Sequence, residues 1–162
     1  MTDGDTFRIL FVCTGNTCRS PMAEAVARRL VEDRGWGQVQ VASAGVAGHG
    51  GHPPTGGAVR AAETAGLDLS EHRSRGLTPG EVAEADLILT MSRSHLLPLL
   101  EAGAGERAVL LTEFAAQEDP EGVPDSVLDP FGGPDEVYVA TFELLERLVE
   151  RALRRLEPIL SP

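Results

Sequence analysis

Residues 7–21 read FRILFVCTGNTCRSP, and the order of those fifteen residues organises the whole chain. Residues 7–12 are apolar and aromatic and run straight into a glycine-containing turn, the pattern of a buried strand. Ser20 has the chemistry of a helix N-cap, and Pro21 suits the first helical position, where its missing N–H costs nothing. The helix should continue to about residue 34, with Met22, Val26 and Leu30 spaced by four on one face, until Gly35 and Gly37 end it. A strand, a short loop and a helix therefore follow one another within thirty residues or so.

The same grammar repeats downstream. Residues 39–44 read as a second strand, and a loop rich in Gly and His spans 45–57. Residues 58–65 suggest a helix stopped by Gly66. Residues 85–91 (ADLILTM) and 108–114 (AVLLTEF) are the third and fourth strands, with a helix over 92–102 that Pro98 weakens. Residues 117–134 are rich in Pro, Gly and Asp and form a long loop, a length more often functional than idle in a compact domain. The last helix is expected over 134–156, packing through Val137, Thr141, Leu144, Leu148, Ala152 and Leu156. Its pairs Glu143 with Arg147 and Glu150 with Arg154 belong to a solvated face. Alternating strands and helices imply an α/β fold: a doubly wound, four-stranded parallel sheet flanked by helices, with the glycine-containing loop after the first strand. Ligands are expected beyond the carboxyl ends of its strands.

The bulk properties narrow the function. A chain of 162 residues fits one domain, residues 1–162, with 42% hydrophobic and 24% charged residues. No apolar run approaches the roughly 20 residues that span a bilayer. The first six residues lack the basic and apolar regions of a signal peptide, so a cytoplasmic location is expected. A net charge of −11 argues against nucleic acid or an anionic membrane as partner. It also repels phosphorylated substrates, so an anion site must create its own positive field. The two cysteines, Cys13 and Cys18, are neither a disulfide framework nor a zinc site, and they suit a reducing compartment. His49 and His52, spaced H-x2-H among glycines with no third ligand evident, read as exposed loop histidines, and no metal is expected.

The loop 12–21 (VCTGNTCRSP) supplies that field. Returning into a helix N-terminus, it can aim the backbone N–H groups of Thr14, Gly15, Asn16, Thr17 and Cys18 at one anion. Gly15 allows backbone torsions that a larger residue resists, and Asn16 tolerates the left-handed region. Arg19 offers a planar fork to two oxygens. The same field suits a thiolate nucleophile at Cys13. Together these parts hold a tetrahedral dianion with sulfur behind phosphorus; displacement gives a phosphocysteine that water then hydrolyses. Ser20 can donate a hydrogen bond to the departing sulfur.

This stretch resembles the signature of the low-molecular-weight protein tyrosine phosphatase family, which includes bacterial protein arginine phosphatases. The similarity continues in Ser43-Ala44-Gly45 after the second strand, His72 before Arg75, and Asp129-Pro130 late in the chain. It implies a four-stranded parallel sheet, no cofactor, and phosphorylated proteins as substrates; it leaves the oligomeric state open. By this resemblance Asp129 is the general acid and later the base that activates water, chosen from 25 acidic residues. Asp125, the nearest rival, is read as a turn cap. Asn16, Ser20, Ser43 and His72 match a network that supports the phosphate loop. Cys18 matches a second cysteine that can trap oxidised Cys13 as a disulfide.

Two details favour phosphoarginine over phosphotyrosine. Thr17 is similar to the threonine of the arginine phosphatases, whereas tyrosine-directed members usually carry a larger aliphatic residue there. After Asp129-Pro130 only Phe131 is aromatic, followed by Gly132-Gly133, where tyrosine-directed members commonly pair two aromatics. A tyrosine phosphatase with the same mechanism is the nearest alternative. An arsenate reductase would need cysteines after Cys18, and none occurs. A phosphate-binding module without catalysis would leave Cys13, Arg19 and Asp129 together unexplained.

Overall fold

The structure, a computed structural model, describes residues 6–48 and 50–161. Four parallel strands, β1 (Phe7–Cys13), β2 (Val39–Gly45), β3 (Leu87–Thr90) and β4 (Ala108–Leu110), lie in the order β2-β1-β3-β4. Among the described residues, six α-helices accompany them: α1 (Arg19–Asp33), α2 (Gly56–Thr64), α3 (Pro79–Glu84), α4 (Leu96–Glu101), α5 (Leu111–Ala116) and α6 (Asp135–Leu160).

The continuous apolar run of β1 is explained by burial on both faces. Ile9, Phe11 and Cys13 point into one core with α1, α2, α5 and α6, while Leu10 and Val12 point into a second core with α3 and α4. β1 is central, and the chain moves outward from it in both directions, to β2 and to β3 and β4. Its carboxyl end is thus the point where the strand order reverses, and loop 14–18 leaves the sheet there. The expected four-stranded parallel α/β sheet is what the chain adopts.

Four local expectations need correction. Helix α1 begins at Arg19, with Cys18 as the capping residue, so Ser20 and Pro21 lie inside the first turn. The Ser20 hydroxyl is used elsewhere, and Pro21 is still harmless because first-turn N–H groups have no intrahelical acceptor. The fourth strand stops at Leu110, since its partner β3 ends at Thr90; from there Leu111, Phe114 and Ala115 make one buried face of α5. The segment over 92–102 splits into a 3-10 turn (Arg93–His95) and α4. Finally, α6 is longer than expected and rotated by about one position. Tyr138, Phe142, Leu145, Leu148, Val149, Ala152, Leu153 and Leu156 are buried, while Val137 is 43% exposed and Thr141 and Leu144 are only half-buried. The sequence reading also passed over α3, whose Thr78 side chain accepts from the Glu81 N–H at 3.2 Å. Of the two histidines in the 45–57 loop, His52 is exposed and His49 lies outside the described residues.

Candidate active site

A pocket of about 210 Å³ opens beyond the carboxyl end of β1, lined by Cys13, Thr14, Gly15, Thr17, Cys18, Arg19, Asp129 and Phe131. The chain thus brings together residues from the β1–α1 loop and from the loop before α6, more than 100 positions apart. Asp125 is exposed and does not line the pocket.

The loop is shaped by one residue inside it and one beneath it. Asn16 holds φ at 58°, the left-handed region, alone among the described non-glycine residues. Gly15 does not adopt that region, and a Cβ there would meet Thr17 Oγ1 at an ordinary 3.6 Å, so the torsional role expected of Gly15 falls to Asn16. The close approach is at Gly45 instead: a Cβ would sit 2.6 Å from the Thr14 carbonyl and 3.0 Å from the Asn16 nitrogen. β2 ends in glycine so that the phosphate loop can rest on its backbone.

Below the loop, hydrogen bonds run in one direction. The Asn16 side-chain Oδ1 accepts from the Arg75 N–H at 2.9 Å, which fixes the amide and turns its nitrogen toward two serines. That nitrogen donates to Ser20 Oγ and Ser43 Oγ, each at 2.9 Å. Ser43 Oγ donates to Glu24 Oε1 at 2.5 Å, and Glu24 pairs with Arg28. Ser20, already an acceptor from Asn16, has its own proton left for the Cys13 sulfur at 2.9 Å. His72 Nε2 lies 2.8 Å from the Asn16 backbone carbonyl oxygen, an acceptor only, so the ring nitrogen donates. Asn16, Ser20 and Ser43 are fully buried.

The upper side of the loop keeps several donors unused. Among the described residues, no backbone bond uses the N–H groups of Thr14, Gly15, Asn16, Thr17 or Cys18. Arg19 is 5% exposed; one terminal nitrogen donates to the Val127 carbonyl at 3.0 Å and the other to Thr14 Oγ1 at 3.3 Å, while its buried Nε has no partner. An unpaired buried donor such as Arg19 Nε is costly and calls for an acceptor. A tetrahedral oxyanion would satisfy the whole set.

Asp129 is half-exposed over this cluster. Its Oδ1 accepts from the Phe131 N–H at 3.0 Å and from the Cys18 thiol at 3.5 Å, and its Oδ2 lies 3.7 Å from Arg19. Burial first, then the neighbouring Cys13 and Asp129, push the Cys18 thiol up to about 12, so it remains a donor at neutral pH. Both thiols are free. Phe131 is 70% exposed at the rim.

Four participants escaped the sequence reading. Glu24 and the Val127 carbonyl carry no local motif. Gly45 was noted within a tripeptide but not for its close approach. His95, 1% exposed, lies 3.0 Å from Thr14 Oγ1; burial, then the Arg19 charge, depress it to about 4, with Asp129 opposing. Its only sequence signal is its place just past the carboxyl end of β3.

A family model described as low molecular weight phosphotyrosine protein phosphatase matches residues 8–158. A protein-arginine-phosphatase of Geobacillus stearothermophilus is 37% identical over 93% of this chain and 97% of its own length. A low molecular weight protein-tyrosine-phosphatase of Streptomyces coelicolor is likewise 37% identical, over 87% of this chain and 88% of its own. Among solved structures, the YwlE arginine phosphatase, in a mutant with a phosphorylated active site serine, superposes with a TM-score of 0.82 at 36% identity, covering 93% of this chain and 96% of that one.

Proposed function

Because the chain belongs to the low molecular weight phosphotyrosine protein phosphatase family, we propose that it hydrolyses phosphoarginine in proteins through a phosphocysteine on Cys13. The loop N–H groups and Arg19 bind the phosphoryl oxygens, and the Cys13 sulfur attacks phosphorus opposite the leaving group. As the P–N bond breaks, Asp129 donates a proton and the guanidine departs as a cation, which the resulting carboxylate pairs with. Water then attacks the phosphocysteine; Asp129 takes its proton, and Ser20 donates to the sulfur as the S–P bond breaks. The phosphorylated active site serine of the YwlE mutant supports a phosphoenzyme in this family. The network of Asn16, Ser43 and His72 keeps the loop in place. Cys18 protects Cys13 by disulfide formation after oxidation.

One observation carries the choice of phosphoarginine: Thr17 lines the pocket beside Asp129, and Phe131 is the sole aromatic among the lining residues. A hydroxyl at Thr17 can place a hydrolytic water, whereas an aliphatic side chain there would only pack. The tyrosine reading has one observation in its favour, the exposed Phe131 ring at the rim, which a phenyl group could meet. Thr17→Ile separates them: it should depress turnover of a phosphoarginine peptide far more than that of an aryl phosphate, and equal depression would refute the arginine reading.

The two thiols suit the reducing cytoplasm, and the net charge of −11 makes nucleic acid a poor partner. Among the described residues, no helix is long and apolar enough to cross a membrane.

A further inference from the structure

His95 ends the 3-10 turn after β3 and is almost wholly buried, yet the reaction above makes no use of it. Its Nδ1 lies 3.2 Å from the Ser92 backbone nitrogen and 3.3 Å from Ser92 Oγ. A backbone N–H can only donate, so Nδ1 carries no proton and the neutral ring is protonated on Nε2. That Nε2–H therefore donates to Thr14 Oγ1 at 3.0 Å. Thr14 Oγ1 accepts a second bond from Arg19, at 3.3 Å. Three side chains, from the turn after β3, the β1–α1 loop and the start of α1, thus form a short relay ending on the guanidinium.

We propose that His95 is a positioning residue: through the Thr14 hydroxyl it holds the Arg19 guanidinium with its Nε edge free for the phosphoryl group. Arg19 has two other restraints on this side of the pocket, the Val127 carbonyl and the more distant Asp129. The carbonyl fixes one end of the fork, and Asp129 belongs to a half-exposed loop, so the Thr14 hydroxyl is the restraint that sets the fork's rotation. Thr14 itself is exposed, and without His95 its hydroxyl is free to turn outward. This inference rests on the phosphatase reading of the pocket.

A purely local role is the competing account, because His95 also caps its own turn through Ser92. Two substitutions divide the roles. His95→Asn keeps a polar atom near the Nδ1 position to meet Ser92 but cannot reach Thr14. His95→Gln places an amide N–H near the Nε2 position to meet Thr14 and gives up the cap. Competitive inhibition by inorganic phosphate and the kcat and KM for an aryl phosphate would be measured for both, with thermal unfolding alongside.

The relay requires His95→Asn to weaken phosphate inhibition and lower kcat/KM by roughly tenfold, the scale of one charge-assisted hydrogen bond, while His95→Gln stays within about threefold of the parent. In a Thr14→Val background His95→Asn should cost nothing further. Parent-like behaviour of His95→Asn, equal losses in both variants, or a full additional loss in the Thr14→Val background would each overturn the proposal. Should His95→Asn fail to fold, Thr14→Val alone must weaken phosphate binding by the same factor, and undiminished binding would refute the relay. Absence of turnover in the unmodified protein would strike at the phosphatase reading instead; phosphate affinity, measured by calorimetry, would still decide the role of His95.

Discussion

The Ser20 hydroxyl lies 2.9 Å from the Cys13 sulfur and accepts from the Asn16 amide, which leaves its own proton free to meet a thiolate there. In the proposed reaction the helix that begins at Arg19 thus carries the group that meets the nucleophile when it leaves phosphorus.

This relationship predicts a defect confined to the second chemical step. Ser20→Ala should lower kcat about 10- to 100-fold, the loss of a hydrogen bond to a charged acceptor. The first turnover should remain fast, so rapid mixing would reveal a burst of released product. A kcat equal to the parent's, or loss of the burst with the steady rate, would contradict the assignment.

Gly45 is expected to be the least replaceable glycine near the pocket. A Cβ there would be 2.6 Å from the Thr14 carbonyl, so Gly45→Ala must displace the phosphate loop at a cost of roughly 1–3 kcal/mol. Chemical denaturation should show that loss together with weaker phosphate binding. Undiminished stability and binding would show that the loop does not depend on this approach.

Much of this was legible beforehand. Residues 7–21 announced the central strand, the loop and the helix, because burial on both faces requires an unbroken apolar run and a loop that returns into a helix has few geometries. Cys13, Arg19 and Asp129 meet around one pocket, as their proposed roles require. What escaped was set by tertiary context. LTEFAA after Leu110 fits a strand or a helical face equally well until the short β3 ends the ladder. The face of α6 shifted because Tyr138 and Phe142, rather than Val137 and Thr141, meet the core. Helix α3 was readable, since Thr78, Pro79 and Glu81 spell a capped start. Glu24, Val127 and His95 act through contacts that no spacing along the chain encodes.

The buried His95 makes stability depend on pH in a defined window. In the unfolded chain it titrates near 6.5 and in the folded protein near 4. Above pH 6.5 both states are neutral, and its contribution is fully present; as pH falls toward 4 the unfolded chain takes up a proton that the folded one refuses, and stability declines. Urea unfolding at pH 7 and pH 5 should therefore show a larger drop for the parent than for His95→Gln, which lacks the titrating group. Identical drops would contradict the burial of a neutral imidazole.

The two cysteines should differ in reactivity. Since Cys18 is held as a thiol, pushed up to about 12, iodoacetamide at neutral pH should label Cys13 first, and Cys13→Ser should remain nearly unlabelled. After brief peroxide treatment, reductant should restore the parent but not Cys18→Ala, which cannot form the protective disulfide. Comparable labelling of both thiols, or equal recovery of both proteins, would contradict these roles.

The substrate preference is the central claim, and parallel turnover of two peptides tests it most directly. One peptide carries phosphoarginine and the other phosphotyrosine, in the same sequence and at the same pH. With an arginine-directed pocket, kcat/KM should favour phosphoarginine by at least an order of magnitude, on the order of 1.4 kcal/mol in transition-state binding. Equal turnover, or a preference for phosphotyrosine, would contradict it.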